Sequence, residues 1–189
     1  LSPYFDLAAI YSKRREFASA KKKYEKVIEA NPNLLPPHVL LGVINELEGS
    51  IDAAIKNYER ALDIDPKFAP AANNLAWIYS SRKDRLNEAL SLAETAKEQR
   101  PEDPNISDTL GWIYYKKKVY LKAISLFNES IEKKPEEPVT YYHLGMAYFK
   151  KGDNKKAQEA LKKSLAIDKN HSGHIEVKRV LDEIGNAQG

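Results

Sequence analysis

Cysteine is absent from this 189-residue sequence, and with it go disulfides, thiolate metal sites and thiol nucleophiles. The absence leaves the compartment open, since a cysteine-free chain is at home in cytosol or periplasm. Long apolar runs are also missing. Nothing approaches the roughly 18 apolar residues of a membrane span, so a soluble chain without direct membrane insertion is expected. No initiator methionine and no signal sequence precede Leu1-Ser2-Pro3, which predicts a fragment or processed form of a longer parent. An excess of one charge is lacking as well: 30 basic side chains face 27 acidic ones, for a formal net charge of +3. That balance argues against nucleic acid as the main partner. Runs such as Lys21-Lys22-Lys23 and Lys116-Lys117-Lys118 read as solvated helix faces and favourable charge at helix ends. With 42% hydrophobic and 30% charged residues, the composition is globular rather than disordered.

The residues of an enzyme site are equally sparse. There is no phosphate-binding glycine loop. His171 and His174 stand three apart, as a metal pair would, but no third ligand lies near them in sequence and helix capping is the better reading. No carboxylate-and-nucleophile set is expected to accompany His143. No catalytic residue, metal or cofactor is expected.

What the sequence has in quantity is repetition. Pro32, Pro66, Pro101 and Pro135 follow one another at intervals of 34, 35 and 34 residues. Each closes a similar phrase, such as Val27-Ile28-Glu29-Ala30-Asn31-Pro32 and Ala61-Leu62-Asp63-Ile64-Asp65-Pro66. A fifth phrase, Ser164 to Lys169, keeps the register with lysine in place of proline. Upstream of each lies a leucine followed by a small residue: Leu7-Ala8, Leu41-Gly42, Leu75-Ala76, Leu110-Gly111 and Leu144-Gly145. Tyr11, Tyr79, Tyr114 and Tyr148 stand in a common place after these pairs, with Asn45 the exception. Between the two phrases an alanine recurs at Ala20, Ala54, Ala89, Ala123 and Ala157.

Leucine, small residue and tyrosine share one face at helical spacing. The small residue admits a close neighbour, and the proline ends the second helix of each unit. Paired helices are predicted over 3–13 and 17–30, 36–48 and 51–64, 70–82 and 86–99, 105–117 and 120–133, and 138–151 and 154–167. The third unit is one residue longer, with the surplus placed in the turn around Arg82–Leu86, where a turn tolerates it. Beyond His171, the residues Ile175, Val177, Val180, Leu181 and Ile184 predict one further amphipathic helix with a polar outer face, the terminal element a repeat stack requires.

This pattern resembles the tetratricopeptide repeat, and the resemblance covers residues 1–171. It implies an all-α, right-handed superhelical solenoid of five helix-turn-helix repeats in one continuous array. The repeats span 1–34, 35–68, 69–103, 104–137 and 138–171, with a C-terminal capping helix and tail at 172–189. The resemblance implies a protein-binding scaffold whose concave groove is lined by first-helix residues not used in packing, and which captures a peptide segment or helix of a partner. Carried onto this chain, the groove holds Val39, Leu40 and Val43, then Asn73, Asn74 and Trp77, then Asp108, Thr109, Trp112 and Tyr115, then Tyr142, His143, Met146 and Phe149.

Trp77, Trp112 and Met146 take the same groove-facing place in three successive units. They are either an exposed anchor strip of the kind that dominates interface energy or packing that closes the space between helices. Asn73 and Asn74 carry amides able to pair with the backbone of an extended peptide. The family's clamp for chaperone C-termini is not matched, because the basic places it needs hold residues such as Val39, Asn73, Thr109 and Tyr142. The phrases at Asn73–Trp77, Asp108–Trp112 and Tyr142–Gly145 are similar to bacterial tetratricopeptide proteins linked to exopolysaccharide export. That similarity implies an envelope-associated or periplasmic setting. Two other roles remain open: a recruiting or regulatory region of a larger enzyme such as a glycosyltransferase, and self-association through an uncovered N-terminal face.

Overall fold

The computed structural model describes residues 16–186, and among these it contains ten α-helices, one 3-10 turn and no strand. The helix predicted over 3–13, and the N-terminal face assigned to self-association, lie outside the described residues. Two compact units divide the chain after Ile78.

The first unit contains α1 (Phe17–Ala30), α2 (Leu35–Leu47), α3 (Ile51–Ile64) and most of α4 (Ala69–Ser80). Ala20 and Tyr24 of α1 bury against Leu41 and Ile44 of α2. Gly42 is small because it must be: an added Cβ there would run into the ring of Tyr58, which is fully buried. The prolines act as expected. α1 and α3 end at Ala30 and Ile64, with caps at Asn31 and Asp65 immediately before Pro32 and Pro66. His38 reaches back across the first of these turns, its Nε2 lying 2.9 Å from the Pro32 carbonyl oxygen.

The second unit begins at the end of α4. It continues through a 3-10 turn (Lys83–Arg85) to α5 (Leu86–Gln99), α6 (Pro104–Lys116), α7 (Tyr120–Lys133), α8 (Pro138–Lys151), α9 (Asn154–Ile167) and α10 (His174–Asn186). The 3-10 turn occupies the place assigned to the third unit's extra residue. Gly111 and Gly145 repeat the close approach seen at Gly42: a Cβ would meet Phe127 at 2.7 Å and Leu161 at 2.5 Å. Two helices start on aspartate caps. The Asp103 side chain accepts from the Asn105 backbone N–H, and that of Asp153 from the Lys156 N–H. Several first helices start a residue earlier than predicted. Proline lies at the first or second position of α2, α6 and α8, where its fixed φ suits the first turn and its missing N–H costs nothing.

Lys97 ties neighbouring helices of this unit together. Its ammonium donates to the Pro101 carbonyl, to Ser107 Oγ at 2.8 Å and to the Glu129 carboxylate. At the C-terminal end Val177, Val180 and Ile184 of α10 bury against Met146, Ala157 and Leu161. Ile175, predicted on that apolar face, instead points outward with 74% of its surface exposed. It stands one position past the start of α10, off the 177–180–184 stripe that faces the array.

Candidate partner-binding face

Each first helix among the described residues buries its leucine and small residue, and the neighbouring positions carry the residues assigned to the groove. In the first unit Val39 is buried, Leu40, Val43, Asn73 and Asn74 are half-buried, and Trp77 is 40% exposed. In the second unit Trp112, Tyr115, Tyr142, Phe149 and Asp108 are half-buried, while Thr109, His143 and Met146 are buried. Val39, Thr109, His143 and Met146 therefore support this face from beneath, and the surface itself is left to the others. Met146 belongs to the core that α10 completes.

The rings of the second unit are packed against one another. Trp112 stacks on Tyr115 at 4.7 Å and on His143 at 4.1 Å, and Tyr142 lies tilted 6.0 Å away. His143 Nδ1 is 3.0 Å from Asp108 Oδ1, so this buried imidazole does have a carboxylate partner, supplied by the previous repeat. No local reading of the sequence near His143 shows it, because the two residues lie 35 positions apart. The pair orients the ring on which Trp112 stacks.

Electrostatics sharpen the picture. Burial pushes the Tyr115 phenol up to about 12, helped by negative potential from Tyr142, Tyr120 and Glu176. The Tyr142 phenol also rises, first from burial and then from Glu176. Glu176 sits on α10, so the terminal helix contributes charge to the aromatic face as well as covering the core. In the first unit the Tyr58 hydroxyl donates to the Glu46 carboxylate. Burial raises the Glu46 carboxyl against the opposing pull of that bond.

Glu46 and Glu176 were missed in the sequence, although a signal existed for the first. Glu46 lies three residues after Val43, in the register that holds Tyr115 and Phe149 in later units. His171 and His174 are occupied by backbone: His171 Nδ1 lies 2.7 Å from the Ser172 oxygen, and His174 Nδ1 lies 2.9 Å from the His171 oxygen. Among the described residues no group of three or more His, Asp or Glu side chains is arranged to hold a metal ion. No described helix is long and apolar enough to cross a membrane.

Comparison with known proteins agrees with this architecture. Family models described as tetratricopeptide repeat match residues 5–67, 47–113 and 139–171. A curated relative, the small glutamine-rich tetratricopeptide repeat-containing protein 2 of Saccharomyces cerevisiae, is 29% identical over 96 residues. The match covers 51% of this chain and 27% of that protein, so the aligned region spans about a quarter of the relative. Among solved structures, PilW, described as a type IV pilus biogenesis factor, superposes with a TM-score of 0.82 at 20% identity, covering 98% of this chain and 86% of its own. A MamA crystal structure gives 0.67 at 25% identity over 88% and 90% of the two chains. YrrB, described as having an unusual peptide-binding site, gives 0.68 at 21% identity over 94% and 91%. Matched by three repeat models over more than half its length, and built of helix pairs that meet at small residues and end before prolines, the chain belongs to the tetratricopeptide repeat family.

Proposed function

We propose that this protein is a non-catalytic scaffold, an array of five repeats closed by the helix at 172–189. It captures a peptide segment or helix of a partner protein on its first-helix face. The observation that carries the reading is the half-buried aromatic surface of Trp112, Tyr115, Tyr142 and Phe149, in which ring contacts and the Asp108–His143 pair hold Trp112, Tyr115 and Tyr142 while Phe149 packs on the core that α10 completes. Side chains already held in place lose little freedom on binding, which is what an anchor surface needs. Trp77 adds exposed indole surface in the first unit. An envelope-associated role, in the company of assembly factors such as PilW, follows from the bacterial resemblance and is part of the same proposal.

The test is capture of partners from extract by the intact protein and by Tyr142→Ala and Phe149→Ala variants that retain full helicity. Loss of the same set of partners in both variants supports the reading. Undiminished capture by both defeats it.

A further inference from the structure

Glu46 is a carboxylate without a cation. It stands on the α2 face that also carries Val39 and Val43, at i, i+4 and i+7, so it looks out where the groove residues of the first unit look. The nearby lysine is committed elsewhere, since Lys21 Nζ bonds Glu48 Oε2 at 2.6 Å. No ion pair among the described residues uses Glu46. Its partner is the hydroxyl of Tyr58, whose ring is fully buried beneath Gly42 and whose oxygen also meets the Asn74 side chain. The carboxylate is thus held by a phenol whose ring is fixed in the core, while it loses part of its hydration.

Asn74, which meets that phenol, stands on the first helix of the next repeat, α4. One turn further along α4, Trp77 presents a 40% exposed indole. A fixed, partly desolvated carboxylate lacks the counter-charge that would offset its burial. Exposed indole surface offers an apolar and π-face contact to a side chain that carries both a stem and a planar cation. The group that suits the carboxylate and the indole surface is a guanidinium, a planar cation with several forked N–H donors and an apolar stem.

We propose that Glu46, held by Tyr58, receives an arginine side chain of the partner segment. The proposal rests on the docking-face reading above and gives that segment a chemistry. Filling the site replaces the missing counter-charge and holds Glu46 in its ionised form. Burial otherwise raises the Glu46 carboxyl, so arginine binding at mildly acidic pH expels a proton.

The probe is a fluorescein-labelled decapeptide of alternating leucine and arginine. Its citrulline counterpart keeps the shape and most N–H donors but has no charge. Binding is read by anisotropy, and its location by the backbone and side-chain amide resonances of Val43, Asn74 and Trp77. The arginine peptide should bind about tenfold tighter or better than the citrulline peptide, and Glu46→Gln, which still accepts from Tyr58, should erase that preference. Calorimetry of the unaltered protein near pH 5, in buffers of different ionisation heat, should show proton release with the arginine peptide alone, a readout that needs no variant.

Equal binding of both peptides at these resonances overturns the arginine assignment and leaves the docking face standing. Binding of both peptides away from these resonances overturns the face and the assignment together. A preference that survives Glu46→Gln, or no arginine-peptide binding at millimolar concentration, overturns the assignment.

Discussion

The two tryptophans occupy one register in the sequence and two environments in the structure. Trp112 has Tyr115 and His143 stacked on it, whereas Trp77 keeps 40% of its surface exposed. Trp77→Ala should change the unfolding free energy by less than ~1 kcal/mol, as surface substitutions do. Trp112→Ala should cost a large part of the ~3–5 kcal/mol typical of a buried tryptophan. Urea melts of the two variants check the contrast. Acrylamide should quench the remaining indole more readily in Trp112→Phe than in Trp77→Phe. The tyrosines make a second prediction at this scale. The Tyr115 phenol is pushed up to about 12 in the fold, against about 10 in an unfolded chain. Below pH 10 both states hold the proton and the fold is undisturbed. Between pH 10 and 12 the unfolded chain ionises first, so stability falls as pH rises. Tyr58 shifts in the same sense. Tyr115→Phe should therefore flatten the alkaline limb of the stability curve without altering it at pH 7, as followed by melting temperature against pH.

Helices of this protein meet where the sequence places glycine or alanine, and the fit there is tight. A Cβ on Gly111 would lie 2.7 Å from the fully buried Phe127 ring. Gly111→Ala should cost ~1–3 kcal/mol by overpacking, less the ~1 kcal/mol that alanine gains in helix propensity. A stabilised variant in chemical denaturation would show that α6 and α7 can move apart freely. The terminal helix is the other test at this scale. α10 buries Val177, Val180 and Ile184 against Met146 and Leu161. Removing residues 172–189 should uncover that apolar surface and drive association, visible as a rise in mass by light scattering together with a lower melting temperature. A monomeric truncation with unchanged melting would make α10 a detachable segment instead.

Within such a fold each repeat contacts its neighbours, so stability is a sum of local terms and interfaces. A cavity made at one place should be felt most nearby. Leu110→Ala, at a residue 5% exposed, should cost ~2–5 kcal/mol. In hydrogen exchange its effect should be largest in α5 to α8 and should fade with distance along the chain. A uniform loss of protection across all described helices would instead mean one cooperative block.

Helix pairing was legible from residues alone, because its causes are local. Proline cannot extend a helix, leucine and glycine recur on one face, and a one-residue surplus is absorbed where a turn bends, as the 3-10 segment at Lys83–Arg85 shows. The binding face was legible only in outline. Periodicity says which residues share a face of one helix, but not what a neighbouring helix lays against them. Tertiary packing buried His143 and Met146, stacked two rings on Trp112 and kept 40% of the Trp77 surface exposed. It also brought Asp108 to His143 across 35 residues and turned Glu46 toward Tyr58. Burial and charge depend on groups distant in the chain, and a sequence read by its own period does not contain those distances.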